Sequence, residues 1–524
     1  MKRVLTLILA ALMVLSLFAG CGGEKKEEKL ADKKFDSFAV GYGKADITPD
    51  YTTQIGLAGN NDENTRLSTG VLEPLWANCL AFTDTDGETV LVFGTDLHSS
   101  NYDMIQRVRA SITEKTGVPG DHIQVNCSHN HCGPVQGANS AVGPIQIYAD
   151  LLEKQMTAAA VQALETRKPA KMYTTFTRPE DMVFVRHYLT TEGEYEANGY
   201  DNISKNGKTF LGYAEKGDNL LQMVKFVREG EKDVILFNWQ GHPYSSDSSK
   251  YYTYLSGVSP AFARRFLLEK ADTESIYIMG ASGDSVQHPA RAASRKFQDN
   301  VEYGEALADA MIAAFDTFKE AQTGKIYYTS PDTFKVPSGG TAPLKYILCA
   351  FGFGDFGYVT APSETFQSNG IHVRDNSPWT YTIYAQVSNG GGYGYIPDAL
   401  TYDYTNGAYE RGPSKTLKGD GEAIAEEQLR LLNDLFQKSG QTKKEKDEGY
   451  ITVEDRISDG QTYTNPNVGG KVTPNKYGYC PITLYMGIAS KTVVAKNEEI
   501  AKQIMAKSTM KLLFNYSNLV VGVE

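Results

Sequence analysis

The chain has little cysteine and no surplus of positive charge, and both shortages narrow its function. Six cysteines are spread over 524 residues. Setting Cys21 aside leaves Cys79, Cys127, Cys132, Cys349 and Cys480, an odd and scattered set that is no disulfide framework. Cys127 and Cys132 flank two histidines but lack zinc-ribbon spacing, so small buried thiols are expected. Lysine and arginine total 52 against 63 acidic residues, a formal charge of −11. A basic footprint is absent, and no nucleic-acid partner is expected. Also missing are an internal repeat, a G-x-S-x-G elbow and a G-N-H segment of the dinuclear phosphoesterase kind.

No apolar run is long enough to span a bilayer. Val4–Phe18 follows Lys2 and Arg3 and falls short of the roughly 20 residues a spanning helix needs, so it reads as a signal peptide. Its end, Phe18-Ala19-Gly20-Cys21, resembles the lipobox of bacterial lipoproteins, with Phe18 where leucine is usual. That resemblance implies export, cleavage before Cys21 and lipid on its thiol. The protein would then be anchored at the outer face of the cytoplasmic membrane. Residues 1–21 are accordingly taken as signal, 22–37 as a charged tether without apolar periodicity, 38–437 as the main domain and 449–524 as a small C-terminal module. The charged stretch Lys438–Glu448 reads as the linker.

What is present is alternation. Thr89–Phe93, His122–Val125, Val234–Phe237 and Ser275–Met279 are apolar and β-branched, and each reads as a buried strand. Helical spacing marks Asp103–Thr116, Ile147–Thr166, Ala261–Lys270 behind Ser259-Pro260, Tyr303–Ala321 and Glu422–Phe436. The class expected is α/β, a mixed sheet flanked by helices with the small C-terminal module appended. Arg186–Asn219 is polar and reads as a surface excursion near the site.

Chemistry gathers where the strands end, as it does in α/β sheets. The four strands run into Asp96-Leu97-His98, Ser128-His129-Asn130-His131, Gln240-Gly241-His242 and Ser282-Gly283-Asp284-Ser285. In extended backbone, residues i and i+2 share a face, so His129 and His131 are expected to address one metal or one substrate. Zinc sites draw three or four N/O donors from such separate elements and keep a position open. A carboxylate is expected beside the imidazoles, but composition does not choose it. Asp96 is either a partner orienting a ligand histidine or a turn and cap residue. His98, His122, His187, His288 and His372 are expected to be mostly ordinary surface or loop residues.

Taken together, these segments resemble the neutral (non-lysosomal) ceramidase family. The carriers are Val40–Pro49, Ser128-His129-Asn130-His131-Cys132-Gly133-Pro134, Asn238–His242, Ala361-Pro362-Ser363-Glu364, and Gly391–Pro397 with Tyr402 and Tyr409–Ser414. They run in order over roughly residues 38–435. The resemblance implies a zinc-dependent hydrolase of N-acyl amide bonds, with ceramide or a related lipid amide as substrate. It implies His129, His242, Glu364 and Tyr395 as zinc ligands, with Tyr393 competing for the tyrosine position. It also implies His131 facing the substrate carbonyl or leaving amine, and Arg186 as a substrate-binding arginine. The family's G-D-V-S-P-N segment is replaced by Gly283-Asp284-Ser285-Val286-Gln287-His288. The serine is shifted one place, which on extended backbone turns it to the other face, so Ser285 is either a catalytic or substrate-contacting serine or a turn residue. Two further readings stand beside the amidohydrolase: a serine esterase using Ser285, and a lipoprotein that binds a ligand without catalysis.

Overall fold

Thr89–Thr95 has every residue buried, so this strand must be covered on both faces, and the layers around it follow from that. The computed structural model describes residues 29–451 apart from 60–64, 137–144, 191–192, 197–209, 214, 245–250, 290–294, 330–331, 337–344, 391–393 and 405–407, and four short strands beyond. Cys21 with the lipobox and Tyr393 lie outside the described residues.

The main sheet holds nine strands. In chain order they are β1 (Ala39–Asp46), β2 (Trp76–Thr83), β3 (Thr89–Thr95), β4 (Ile123–Cys127), β5 (Lys168–Thr177), β6 (Leu221–Arg228), β7 (Val234–Trp239), β8 (Glu274–Met279) and β9 (Lys319–Ala321). Their spatial order is β8-β7-β6-β5-β1-β2-β3-β4, with β9 against β5. The pairs β3–β4 and β7–β8 are parallel, while β1–β2, β2–β3 and β6–β7 are antiparallel. The sheet is therefore mixed, as expected, and the four strands singled out in the sequence are β3, β4, β7 and β8.

Alternation sorts the side chains into two cores. On one face Cys79, Ala81, Phe93, Val125, Phe237 and Met279 pack with residues of the helices α1 (Tyr102–Thr116), α2 (Ile145–Glu165), α3 (Val258–Ala271) and α4 (Asn300–Ala313). On the other face Leu80, Phe82, Val92, Leu236 and Ile278 meet Phe351, Phe353, Phe356, Tyr358 and Ile383. These belong to a second sheet of β10 (Tyr327–Tyr328), β11 (Ala350–Phe353), β12 (Phe356–Thr360) and β13 (Tyr381–Ala385). A third core, including Val359, Tyr384, Val373, Ile424 and Leu432, joins that sheet to α5 (Gln367–Asn376) and α6 (Asp420–Ser439). The layers are helices, large sheet, small sheet, helices. Aromatic pairs tie the two sheets, with Phe82–Phe353 and Phe82–Phe356 centroids 5.3 and 6.3 Å apart, each such pair adding about 0.5–1.5 kcal/mol beyond its buried area.

Three expectations are corrected. The helical pattern of Tyr303–Ala321 ends at Ala313, because Lys319–Ala321 instead pair antiparallel with Met172–Thr174 of β5. The charged stretch Lys438–Glu448 is pinned rather than loose. Lys444 Nζ meets Asp355 Oδ1 at 2.6 Å, Lys446 Nζ donates to the Trp379 carbonyl at 2.8 Å, and the Tyr381 hydroxyl donates to Asp447. The excursion Arg186–Asn219 has buried ends: Arg186, His187, Glu215, Asp218 and Asn219 are all inside. The cysteines behave as expected, Cys79, Cys127, Cys132 and Cys349 being buried free thiols.

Candidate metal centre

β4 stops at Cys127, and the chain then leaves the sheet through Ser128 and His129, whose N–H groups donate to the carbonyls of Thr95 and Leu97 at 2.9 and 2.9 Å. His129 takes φ = 58°, a left-handed conformation uncommon outside glycine. The i, i+2 rule for extended backbone therefore does not apply here, which corrects the reason given for pairing the two histidines. The pairing itself stands: the His129 and His131 rings lie 5.2 Å apart, both close to His242 at 4.9 and 5.5 Å. His242 arrives just beyond β7. Glu364 arrives from the second sheet, on a two-residue parallel bridge in which it faces Tyr395.

Three of these side chains converge. Glu364 Oε2 lies 3.2 Å from His129 Nε2 and 4.0 Å from His242 Nε2. Each imidazole has its other nitrogen committed: His129 Nδ1 bonds the His98 carbonyl at 2.9 Å and His242 Nδ1 the Ser282 carbonyl at 3.0 Å. A carbonyl only accepts, so both Nδ1 atoms carry a proton and both Nε2 atoms are turned to the same spot, the side from which a cation takes imidazole lone pairs. Burial, then neighbouring His129, lowers His242 to about 3. Burial alone would raise Glu364, but His129 and His242 outweigh it and hold it at about 2. A neutral His242 imidazole beside an ionised Glu364 carboxylate gives protonation states that a divalent cation requires of its ligands. Glu364 Oε2 is buried and accepts no well-directed hydrogen bond among the described residues, as befits an oxygen reserved for a cation. The donor set fits zinc.

Tyr395 is buried beside this trio. Burial and the Glu364 charge push its phenol well above its ordinary value, and its ring lies 5.3 Å beneath the Arg186 guanidinium. Arg186 itself is spent on protein groups. Nε donates to Glu410 Oε1 at 2.6 Å, Nη2 to the Gly283 carbonyl at 2.6 Å and Nη1 to the Tyr244 hydroxyl at 3.3 Å. Its geometry is that of a residue placing Tyr395 and Tyr244 against the histidines. Ser285 is fully buried, and its hydroxyl donates to the carbonyls of Gln240 at 2.5 Å and Ser282 at 3.2 Å. Its proton ties two strand ends together. Asp96 accepts from the Trp76 N–H at 2.9 Å and pairs with Arg264, so its carboxylate holds these groups rather than a ligand histidine or a helix cap.

Sequence reasoning missed three members. His98 stacks on His129 with centroids 4.2 Å apart, and His98, His129 and His131 offer nitrogens within 4.8 Å of one another. Tyr244 stacks on His242 at 5.0 Å. Glu410 anchors Arg186 and, through Oε2, His187 at 3.1 Å. His98 was findable, since it ends a strand like the others. His122 and His187 are likewise buried rather than on the surface, while His372 stays partly exposed against Glu426. A cavity of about 330 Å³ opens beside the trio, lined by His98, Tyr102, His129, Pro362 and Glu364. No helix among the described residues is long and apolar enough to cross a membrane.

Comparison places this architecture among solved structures. No family model matches the chain, and neither does any curated protein. The structure is similar to that of neutral ceramidase from Pseudomonas aeruginosa, with a TM-score of 0.60 and 13% identity over 88% of this chain and 89% of that one. It is equally similar to a ceramidase complexed with C2, at 0.60 and 13% over 88% and 90%. This likeness over most of both chains shows that the chain has the neutral ceramidase fold.

Proposed function

We propose that the protein is a zinc-dependent hydrolase of N-acyl amide bonds, acting on ceramide or a related lipid or sugar amide. The observation that carries this reading is the convergence of His129 Nε2, His242 Nε2 and Glu364 Oε2, with both Nδ1 atoms tied to carbonyls. Tyr395, facing Glu364 across the bridge, is the fourth ligand of this reading. When bound, zinc supplies a Lewis acid for the amide carbonyl and a lowered pKa for water. The chain's own residues do the rest. His131, buried beside the trio, takes the proton of the attacking water and delivers it to the departing nitrogen. Arg186 holds Tyr395 and Tyr244 in place rather than touching substrate. Ser285 keeps a structural tie, which disfavours the esterase reading.

Export and anchoring through a lipidated Cys21 belong to the same proposal, with a small amide or lipid as the partner. A ligand-binding lipoprotein without catalysis is the competing reading, and metal analysis of the purified full chain separates the two. Near-stoichiometric zinc is expected, lost on His129→Ala, His242→Ala and Glu364→Gln but kept on His288→Ala. Chelator-sensitive release of fatty acid from a ceramide panel would support the narrow substrate, and activity on soluble amides alone would reject it. Equal metal in all four variants would overturn the ligand assignment.

A further inference from the structure

The cavity beside the metal trio is polar where a lipid site would be apolar. Its volume of about 330 Å³ lies near the lower end of the roughly 300–1,000 Å³ of small-molecule sites. Next to His129 and Glu364 the polar side chains of His98, Ser99, Asn101 and Ser363 line it. Among the described residues the apolar share of the wall comes from Pro362, Val387 and the exposed ring of Tyr102. Gly390 and Gly394 add backbone alone. Apart from Glu364, no carboxylate, lysine or arginine lines it among the described residues, so a charged substrate group would leave water without a side-chain partner.

The polar wall is set in place by the fold. The Asn101 side chain accepts from the Met104 N–H at 2.7 Å and donates to the Gln136 carbonyl at 2.9 Å. His98 Nδ1 lies 3.2 Å from Ser99 Oγ, and the His98 ring rests on His129 at 4.2 Å. The facing wall comes close: a Cβ on Gly390 would stand 2.7 Å from the Asn101 carbonyl carbon. An alkyl chain entering here strips water from these polar groups and returns no hydrogen bond, whereas hydroxyl groups take that water's place. Sites that hydrogen-bond a substrate hydroxyl also reject the analogue lacking it far more strongly than apolar pockets reject an added one.

We propose that the substrate is a small, neutral, hydroxylated amide, a short-chain N-acyl derivative of an amino sugar or amino polyol, with its hydroxyls against His98, Ser99 and Asn101. This rests on the amide-hydrolase reading and narrows it. Water cleaves the C–N bond, giving a short carboxylic acid and the free amine. The two long chains of a ceramide would find little apolar surface on this wall.

The full chain loaded with zinc is tested on N-acetylglucosamine, N-palmitoylglucosamine and N-palmitoylsphingosine, with release of free amine measured. N-acetylglucosamine is expected to give a kcat/KM at least about tenfold above either palmitoyl compound. His98→Leu and Ser99→Leu make the wall apolar. Each should lower that kcat/KM about tenfold, the loss of roughly one hydrogen bond, with zinc content unchanged. N-palmitoylsphingosine cleaved faster than N-acetylglucosamine, or within tenfold of it, overturns the proposal and leaves the hydrolase intact. An unchanged kcat/KM in both variants overturns it too. Calorimetric binding of N-acetylglucosamine and of octanoate gives a readout that needs no turnover. If no amide is cleaved, the hydrolase reading falls and calorimetry decides the substrate class. Binding of N-acetylglucosamine that His98→Leu weakens supports the proposal; binding of octanoate alone, or of neither, overturns it.

Discussion

Replacing Glu410 by glutamine removes one charge from an enclosed ion pair near the site. Its side chain is 0% exposed and that of Arg186 is 2%, with Nε and Oε1 2.6 Å apart. The second oxygen meets His187 Nε2 at 3.1 Å. Glutamine keeps the shape and an acceptor oxygen but removes the negative charge that balances the buried guanidinium. Breaking one side of a buried pair costs about 3–5 kcal/mol. The carboxyl itself gives a second estimate: burial raises it, Arg186 and His187 outweigh burial, and it rests at about 2 against an ordinary 4.5. That difference corresponds to about 3 kcal/mol, in the same range. With an unfolding entropy of about 2.1 cal/mol/K per residue over roughly 420 residues, the melting temperature should fall by about 3–6 °C. The sign with pH follows from the depressed value. The contribution is full above the unfolded carboxyl's range and is lost as pH falls from about 4.5 towards 2, so the gap between wild type and variant closes on acidification. Melts by circular dichroism from pH 7 down to pH 3 measure this. Asp403→Asn is the control, since it breaks the exposed pair with Lys418 and should cost no more than about 1 kcal/mol. A Glu410→Gln loss no larger than that control, or a gap independent of pH, would refute the reasoning.

Gly59 has φ = +106°, and a Cβ there would stand 2.5 Å from His131 Cγ. Gly59→Ala should therefore displace His131, cutting amide hydrolysis on the order of 10²–10⁴-fold while zinc content, measured in parallel, stays at the wild-type level. At Gly41 a Cβ would stand 1.7 Å from the Ala163 carbonyl of α2. Gly41→Ala should then cost at least about 1–3 kcal/mol in urea unfolding, and a neutral result would mean that α2 can lift off β1. Burial lowers Lys446 to about 7 against an ordinary 10.5. The folded chain thus binds fewer protons than the unfolded one between those values. Stability relative to Lys446→Met should rise with pH from about 7 to 10.5, by at most about 1.4 kcal/mol per unit, as followed by urea midpoints.

Residues buried on both faces of a sheet leave a strong mark in sequence, and β3, β4, β7 and β8 were legible because each is a short unbroken apolar run. What covers them was not. Phe351, Phe353, Phe356 and Tyr358 come from a hairpin more than 200 residues beyond Val90 and Val92, with which they share a core, and nothing local says that this hairpin stacks on the large sheet. The same distance effect hid the end of the 303–321 helix. Its apolar spacing continues past Ala313, but the free edge of β5 captures Lys319–Ala321, a tertiary demand that overrides local propensity. Charge was equally misleading at Lys438–Glu448. Its lysines look like solvated tether until Asp355 and the carbonyls of Trp379 and Thr380 are found opposite them.

The paired histidines show where pattern and geometry part. His129 and His131 are near-equivalent by spacing, and extended backbone would aim both at one target. The left-handed turn at His129 breaks that equivalence. It lets His129 Nδ1 reach back to the His98 carbonyl, which turns Nε2 towards Glu364. His131 then packs at an angle of 78° to its neighbour and offers no nitrogen to the Glu364 trio. The cost of a non-glycine residue in that conformation is of order 1–3 kcal/mol, offset by two backbone hydrogen bonds at Ser128 and His129. Strain of this kind, which aims His129 Nε2 at Glu364 and leaves His131 at another angle, is the physical reason why an H-x-H pair can divide its labour in the way proposed above.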